Sequence, residues 1–85
     1  MGLNNDMAEV LAAVQQKIAA GVLPTDKPMK MWVGNGTGKS CDACDLVVTP
    51  ADIEYETDLP SGRTLRFHQP CLAVWHEERT RGRTS

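Results

Sequence analysis

Two pairs of metal-ligand side chains constrain this chain more than any other feature. Cys41-Asp42-Ala43-Cys44 and His68-Gln69-Pro70-Cys71 each carry two ligands across two intervening residues, and 23 residues separate the pairs. A two-residue spacer lets a tight turn aim two side chains at one ion. Thiolate with imidazole is a donor set that zinc accepts in a tetrahedron. The chain has three cysteines, and this pattern uses all of them. An odd number cannot pair off as disulfides, and three thiols beside a histidine read as a ligand set. A redox CxxC would follow a strand and open the helix of a βαβ unit. This one follows a glycine-rich run and precedes a hairpin pattern.

The expected ligands of one zinc ion are therefore Cys41, Cys44, His68 and Cys71. Four protein ligands close the coordination sphere, whereas a catalytic zinc keeps a position for water or substrate. The site reads as structural, and no catalytic residues are assigned. His76 competes with His68 for the fourth place. On a helix, five residues put His76 about 140° around the axis from Cys71, facing away from the site. Three thiolates and one imidazole leave about one negative charge on the centre. Amides of the cysteine turn, at Ala43 and Asp45, are expected to face the sulfurs, with Lys39 adding electrostatic support. Asp45 stands where glycine is often preferred, and Asp tolerates a positive φ better than most residues.

At 85 residues the chain is expected to form one small domain, short of core and in need of a staple. Residues 5–20 read as an amphipathic helix with Met7, Val10, Leu11, Val14 and Ile18 on one face. Asp6 and Glu9 form a capping-box pattern, Gly21 suits a left-handed C-terminal position, and Pro24 bars continuation. The stripe either packs on the domain or meets a partner. Residues 25–40 read as a Gly/Pro-rich connector holding one short extended segment, Met29–Val33, that sets Trp32 against the domain. Residues 51–68 read as a β-hairpin. Ile53, Tyr55, Thr57 and Leu59 alternate with Glu54, Glu56 and Asp58 around a Pro60-Ser61-Gly62 turn. The acidic residues are expected to form a solvated face opposite Arg63 and Arg66. Residues 70–80 read as a second helix started by Pro70, with Leu72, Val74 and Trp75 as its apolar surface. The organisation is thus an N-terminal helix in 1–24, a connector in 25–40, a zinc-binding unit in 41–81 and a frayed tail in 82–85.

The formal net charge of −2 becomes about −3 with three thiolates and one zinc(II). Such a balance opposes broad binding to nucleic acid or to an anionic membrane. No apolar run approaches the ~20 residues of a membrane span, and no secretory signal is visible, so a cytoplasmic location is expected. The run Gly34-Asn35-Gly36-Thr37-Gly38-Lys39-Ser40 is not a phosphate loop. That motif would require glycine at position 33, which is valine, and a following helix. The run is expected to be a flexible lead-in to the zinc site.

The stretch Cys41–Trp75 resembles treble-clef zinc fingers, most closely the first zinc unit of a LIM domain. It shares the two-residue spacers, an aromatic before the histidine (Phe67) and an apolar residue after the last cysteine (Leu72). The resemblance implies the same four ligands and a small α+β fold. Its order would be N-terminal helix, CxxC knuckle, β-hairpin and C-terminal helix, stabilised by zinc. The chain has no further cysteine for the second zinc unit of a LIM domain. The pattern is also similar to the DNA-break-sensing finger of poly(ADP-ribose) polymerases. That finger uses a basic surface, whereas residues 39–81 hold five Lys or Arg against eight Asp or Glu. The whole layout resembles small bacterial proteins of unassigned function. The expected function is a non-enzymatic module that binds a protein partner. The alternatives are a nucleic-acid-binding or transcription-related regulator using Arg79, Arg81 and Arg83, and an enzyme with catalytic zinc. Metal removal is expected to collapse residues 41–80 while helix 5–20 stays partly formed.

Overall fold

A computed structural model describes residues 7–83, with 82 and 83 described by their backbone alone. Helix α1 runs Met7–Ala19, strands β1, β2 and β3 run Lys30–Asn35, Ile53–Asp58 and Thr64–His68, and helix α2 runs Gln69–Arg83. The result is a small α+β fold: one antiparallel sheet in the order β1-β2-β3, with two helices.

The elements form where local chemistry favours them. Gly21 takes φ 79° and closes α1, with Val22 N–H donating to Lys17 C=O and Gly21 N–H to Ile18 C=O. The expected cap at Asp6, the first two residues of the expected helix and the tail at 84–85 lie outside the described residues. The β2–β3 connection is the five residues 59–63, with Pro60-Ser61-Gly62 as the turn inside the Leu59–Arg63 pair. Gly62 N–H donates to Leu59 C=O, Leu59 N–H donates to Arg63 C=O, and Gly62 takes φ 90°. That is a tight turn followed by a left-handed residue, which the order Pro-Ser-Gly suits. Helix α2 starts directly after His68 and continues to Arg83, so Gly82 and Arg83 are helical rather than frayed.

The stripe of α1 packs inward. Val14 is fully buried, and Val10, Leu11 and Ile18 lie against the core formed by Leu23, Val48, Leu65, Phe67, Val74 and Trp75. Phe67 and Trp75 stack with ring centroids 5.1 Å apart, and the Trp75 indole N–H donates to Pro24 C=O at 2.9 Å. The chain leaving α1 is thereby pinned to α2.

Three expectations change. Residues 30–35, read mainly as connector, are a full strand paired along β2 from Lys30↔Asp58 to Asn35↔Ile53. The strand escapes a period-two reading because it is exposed along its whole length, so no burial forces its polarity to alternate. Trp32 does not rest against the domain. It is 55% exposed, with Lys30 Nζ 5.7 Å from its ring and its indole N–H reaching Asp58. Third, the acidic hairpin face is not uniformly solvated. Glu54 is 5% exposed, because the Gly36-Thr37 loop crosses it and donates from Thr37 N–H (3.1 Å) and Oγ1 (2.9 Å). Arg66 Nε lies 3.5 Å from the same carboxylate and 3.9 Å separates its Nη2 from Glu56, whereas Arg63 turns away and donates to Val22 C=O.

Candidate metal centre

The cysteine turn is held by its own backbone. Cys41 N–H donates to Leu46 C=O and Asp45 N–H donates to Cys41 C=O, a turn that closes because Asp45 takes φ 69°. Ala43 N–H donates to Cys41 Sγ at 3.4 Å. The glycine-rich run before it is paired, not loose. Gly36 N–H donates to Asp52 C=O, Gly38 N–H to Val48 C=O, and Val48 N–H to Lys39 C=O, with a β-bridge between Ser40 and Val47. Gly36 is buried against Thr49, where a Cβ would overlap the Thr49 carbonyl.

The turn is joined to β3 through Asp42. Its N–H donates to Arg66 C=O and its carboxylate accepts from Arg66 N–H, both at 2.7 Å. Two residues farther along, β3 ends at His68, and the first turn of α2 brings Cys71 back. The ligand atoms of Cys41, Cys44, His68 and Cys71 consequently lie within 4.8 Å of one another. A tetrahedron with ~2.3 Å metal–sulfur bonds has sulfur–sulfur edges of about 3.8 Å, so the set needs only a slight contraction. No disulfide competes, since all three cysteines are free. The four residues are positioned to bind a metal ion.

The imidazole is oriented by a partner outside the cluster. His68 Nδ1 faces Cys44 Sγ at 3.4 Å and Cys71 Sγ at 4.0 Å, and Nε2 faces Val47 C=O at 3.2 Å. The ring proton then belongs on Nε2, leaving Nδ1 free to ligate. Asp52 Oδ2 lies 3.9 Å from the same Nε2. Hydrogen bonds from the Thr49 N–H and hydroxyl hold that carboxyl below the usual range. His76 is exposed, with Nδ1 2.8 Å from Arg79 Nη2, and takes no part in the cluster.

The thiols divide the proton load unequally. Cys41 is drawn down to about 4, first by the hydrogen bond from Cys71 and then by amides of Cys44, His68 and Ala43, against the effect of burial. Cys71 is pushed up by donating to Cys41 and by burial, and Cys44 is pushed up mainly by burial. A ligand site is thus present in which one sulfur already favours the thiolate.

Sequence reasoning missed Lys17. From α1 its ammonium donates to Asp42 C=O at 3.0 Å and to Asp45 Oδ1 at 2.7 Å, doing at the turn what was expected of Lys39. A lysine on the polar flank of an amphipathic helix carries no signal for a contact 25 residues away. Val47 and Asp52 escaped for a similar reason, because a backbone carbonyl and a turn carboxylate have no ligand spacing.

Comparison with protein-family models, with curated proteins and with solved structures finds no match to this chain. Among the described residues, no helix is long and apolar enough to cross a membrane.

Proposed function

We propose that this chain is a non-enzymatic module of treble-clef type, folded around one structural zinc ion, that works by binding another protein. The observation that carries the metal reading is the convergence of Cys41, Cys44, His68 and Cys71 within 4.8 Å. Three sulfurs and one imidazole nitrogen favour zinc over the hard cations that take oxygen ligands. With four protein donors the sphere is filled, which supports a structural ion over a catalytic one. The order of parts, a cysteine turn, a hairpin and a helix that begins between the third and fourth ligands, supports the treble-clef assignment.

A specific observation weighs against nucleic acid as the partner. Two of the three arginines of that reading make contacts within the fold: Arg79 lies buried over the Trp75 ring at 5.3 Å, and Arg81 pairs with Glu77 and Glu78. X-ray absorption at the zinc edge tests the metal reading. One zinc per chain with three sulfurs, one nitrogen and no oxygen is expected, and a bound oxygen would move the reading to a catalytic ion. Mobility-shift assays at low salt are expected to show no retained DNA or RNA. Binding that weakens steeply with salt would restore the nucleic-acid reading.

A further inference from the structure

Strand β1 is one of the two edges of the sheet; among the described residues it pairs with β2 alone and is exposed along its length. The bond from Gly36 N–H to Asp52 C=O sets the phase of the β1–β2 ladder. In an antiparallel pair alternate residues bond inward, so Lys30, Trp32 and Gly34 bond β2 while Met31 and Val33 turn their N–H and C=O groups outward. Natural sheets blunt such an edge with proline, a bulge or inward-pointing charge. Here Pro28 and a bulge, in which Met29 and Lys30 both face Asp58, stand at the first end, whereas Met31, Trp32 and Val33 carry no charge and no proline and are exposed.

The side chains of Met31 and Val33 fall on the face of the sheet that α2 covers. The helix packs chiefly on β2 and β3. Between β1 and α2 this leaves a groove of about 500 Å³, floored by Met29, Met31, Tyr55, Leu72 and Trp75. Its charged lining residues are Lys27, Lys30 and Arg79, with no carboxylate among them. That balance is the reverse of the chain as a whole, where acids outnumber bases by eleven to nine.

We propose that β1 and this groove accept an extended peptide segment of another protein, added as a fourth strand, with apolar side chains on the groove face and one groove-face carboxylate placed to meet Lys27. The inference rests on the protein-binding reading above and specifies the surface and chemistry of the partner. Backbone pairing to Met31 and Val33 supplies affinity, and alternate side chains entering the groove supply selection. A second copy of this chain fits less well. Paired antiparallel to β1, it would bring Met29, Met31 and Val33 to the groove face and no acid to meet the cationic rim.

The test uses the full chain, isotope-labelled and purified with its metal. It is titrated with an end-capped octapeptide alternating valine or leucine with threonine, in which glutamate replaces one terminal groove-face residue, and with the same peptide bearing lysine for that glutamate. The expected result is a shift of the Met31 and Val33 amides, slower hydrogen exchange at both, and affinity about tenfold higher for the acidic peptide. Val33→Pro deletes an outward N–H without touching the β2 ladder and is expected to abolish the effect. Lys27→Glu alters charge at an exposed position and is expected to weaken the acidic peptide about fivefold or more, with the unbound spectrum unchanged. Equal binding of the two peptides, or Lys27→Glu without effect, overturns the proposal. Met31 and Val33 amides that move on dilution of the peptide-free protein overturn it in favour of self-pairing. Peptide shifts confined to Leu46 and Val47 overturn it while leaving protein binding intact.

Discussion

At the scale of the residue, His68 is oriented by groups outside the candidate ligand set. Its ring is fixed at two ends, by sulfurs on Nδ1 and by the Val47 carbonyl on Nε2. The thiols are unequal, and this sets the response to acid. Cys44 and Cys71, both pushed up, must each give up a proton to the incoming ion, while Cys41 holds its thiolate down to about 4. Protons therefore compete with metal as pH falls, and affinity drops with it. Between pH 7 and pH 5 the logarithm of the apparent zinc affinity is expected to fall by at least about two per pH unit, measured by competition with a chromophoric chelator. A slope near zero would mean that the thiols are not the ligands. Gly36 is the other residue with no tolerance. A side chain there meets the Thr49 carbonyl, which is backbone and cannot swing aside. Gly36→Ala is expected to destabilise the fold by about 2 kcal/mol or more in urea titration.

At the scale of the element, α1 is bound to the metal unit from two directions. Its apolar stripe rests on α2 and the core, and Lys17 reaches the cysteine turn. The ion pair with Asp45 is exposed and contributes little, whereas the bond to the Asp42 carbonyl is shielded. Lys17→Ala is expected to cost about 1–2 kcal/mol, with hydrogen exchange quickening at the C-terminal end of α1 and around residues 42–45. Glu54 does similar work on the opposite side, clamping the Thr37 loop and Arg66 together. Glu54→Leu keeps the bulk and removes the acceptor. It is expected to release residues 36–38 to fast exchange while β2 stays protected.

At the scale of the whole molecule, the candidate metal site and the core adjoin one another. The core is small and centred on the stacked Phe67 and Trp75, one beside each end of the His68–Cys71 pair. A thirteen-residue helix is marginal alone, and Val14 is fully buried against this core. Removal of the metal is therefore expected to melt α1 together with the hairpin and α2. This replaces the expectation, drawn from amphipathicity alone, that the N-terminal helix outlasts the rest. Circular dichroism with and without a strong chelator checks it: loss of helix signal well beyond that of α2 is expected, and retention of α1 amide shifts would contradict it. Trp75→Ala is expected to cost about 3–5 kcal/mol, enough to unfold a domain of this size even with metal present.

Several features were determined by the amino-acid sequence itself, because their causes are local. Ligand spacing named Cys41, Cys44, His68 and Cys71, and helical geometry set His76 aside. Pro60-Ser61-Gly62 placed the hairpin turn, Gly21 ended α1, and Asp45 supplied the positive φ of the cysteine turn. Each rests on residues within a few positions of one another, where sterics and hydrogen-bond reach leave little choice. The tertiary structure alone decided what depends on partners distant in sequence. It buried Glu54 beneath a loop 17 residues away and sent Lys17 to a carbonyl 25 residues on. It ordered the glycine run against residues 47–52 and made a sheet edge of Lys30–Asn35. Composition does not encode those contacts, because they exist only once the metal unit, the sheet and α1 occupy the same small volume.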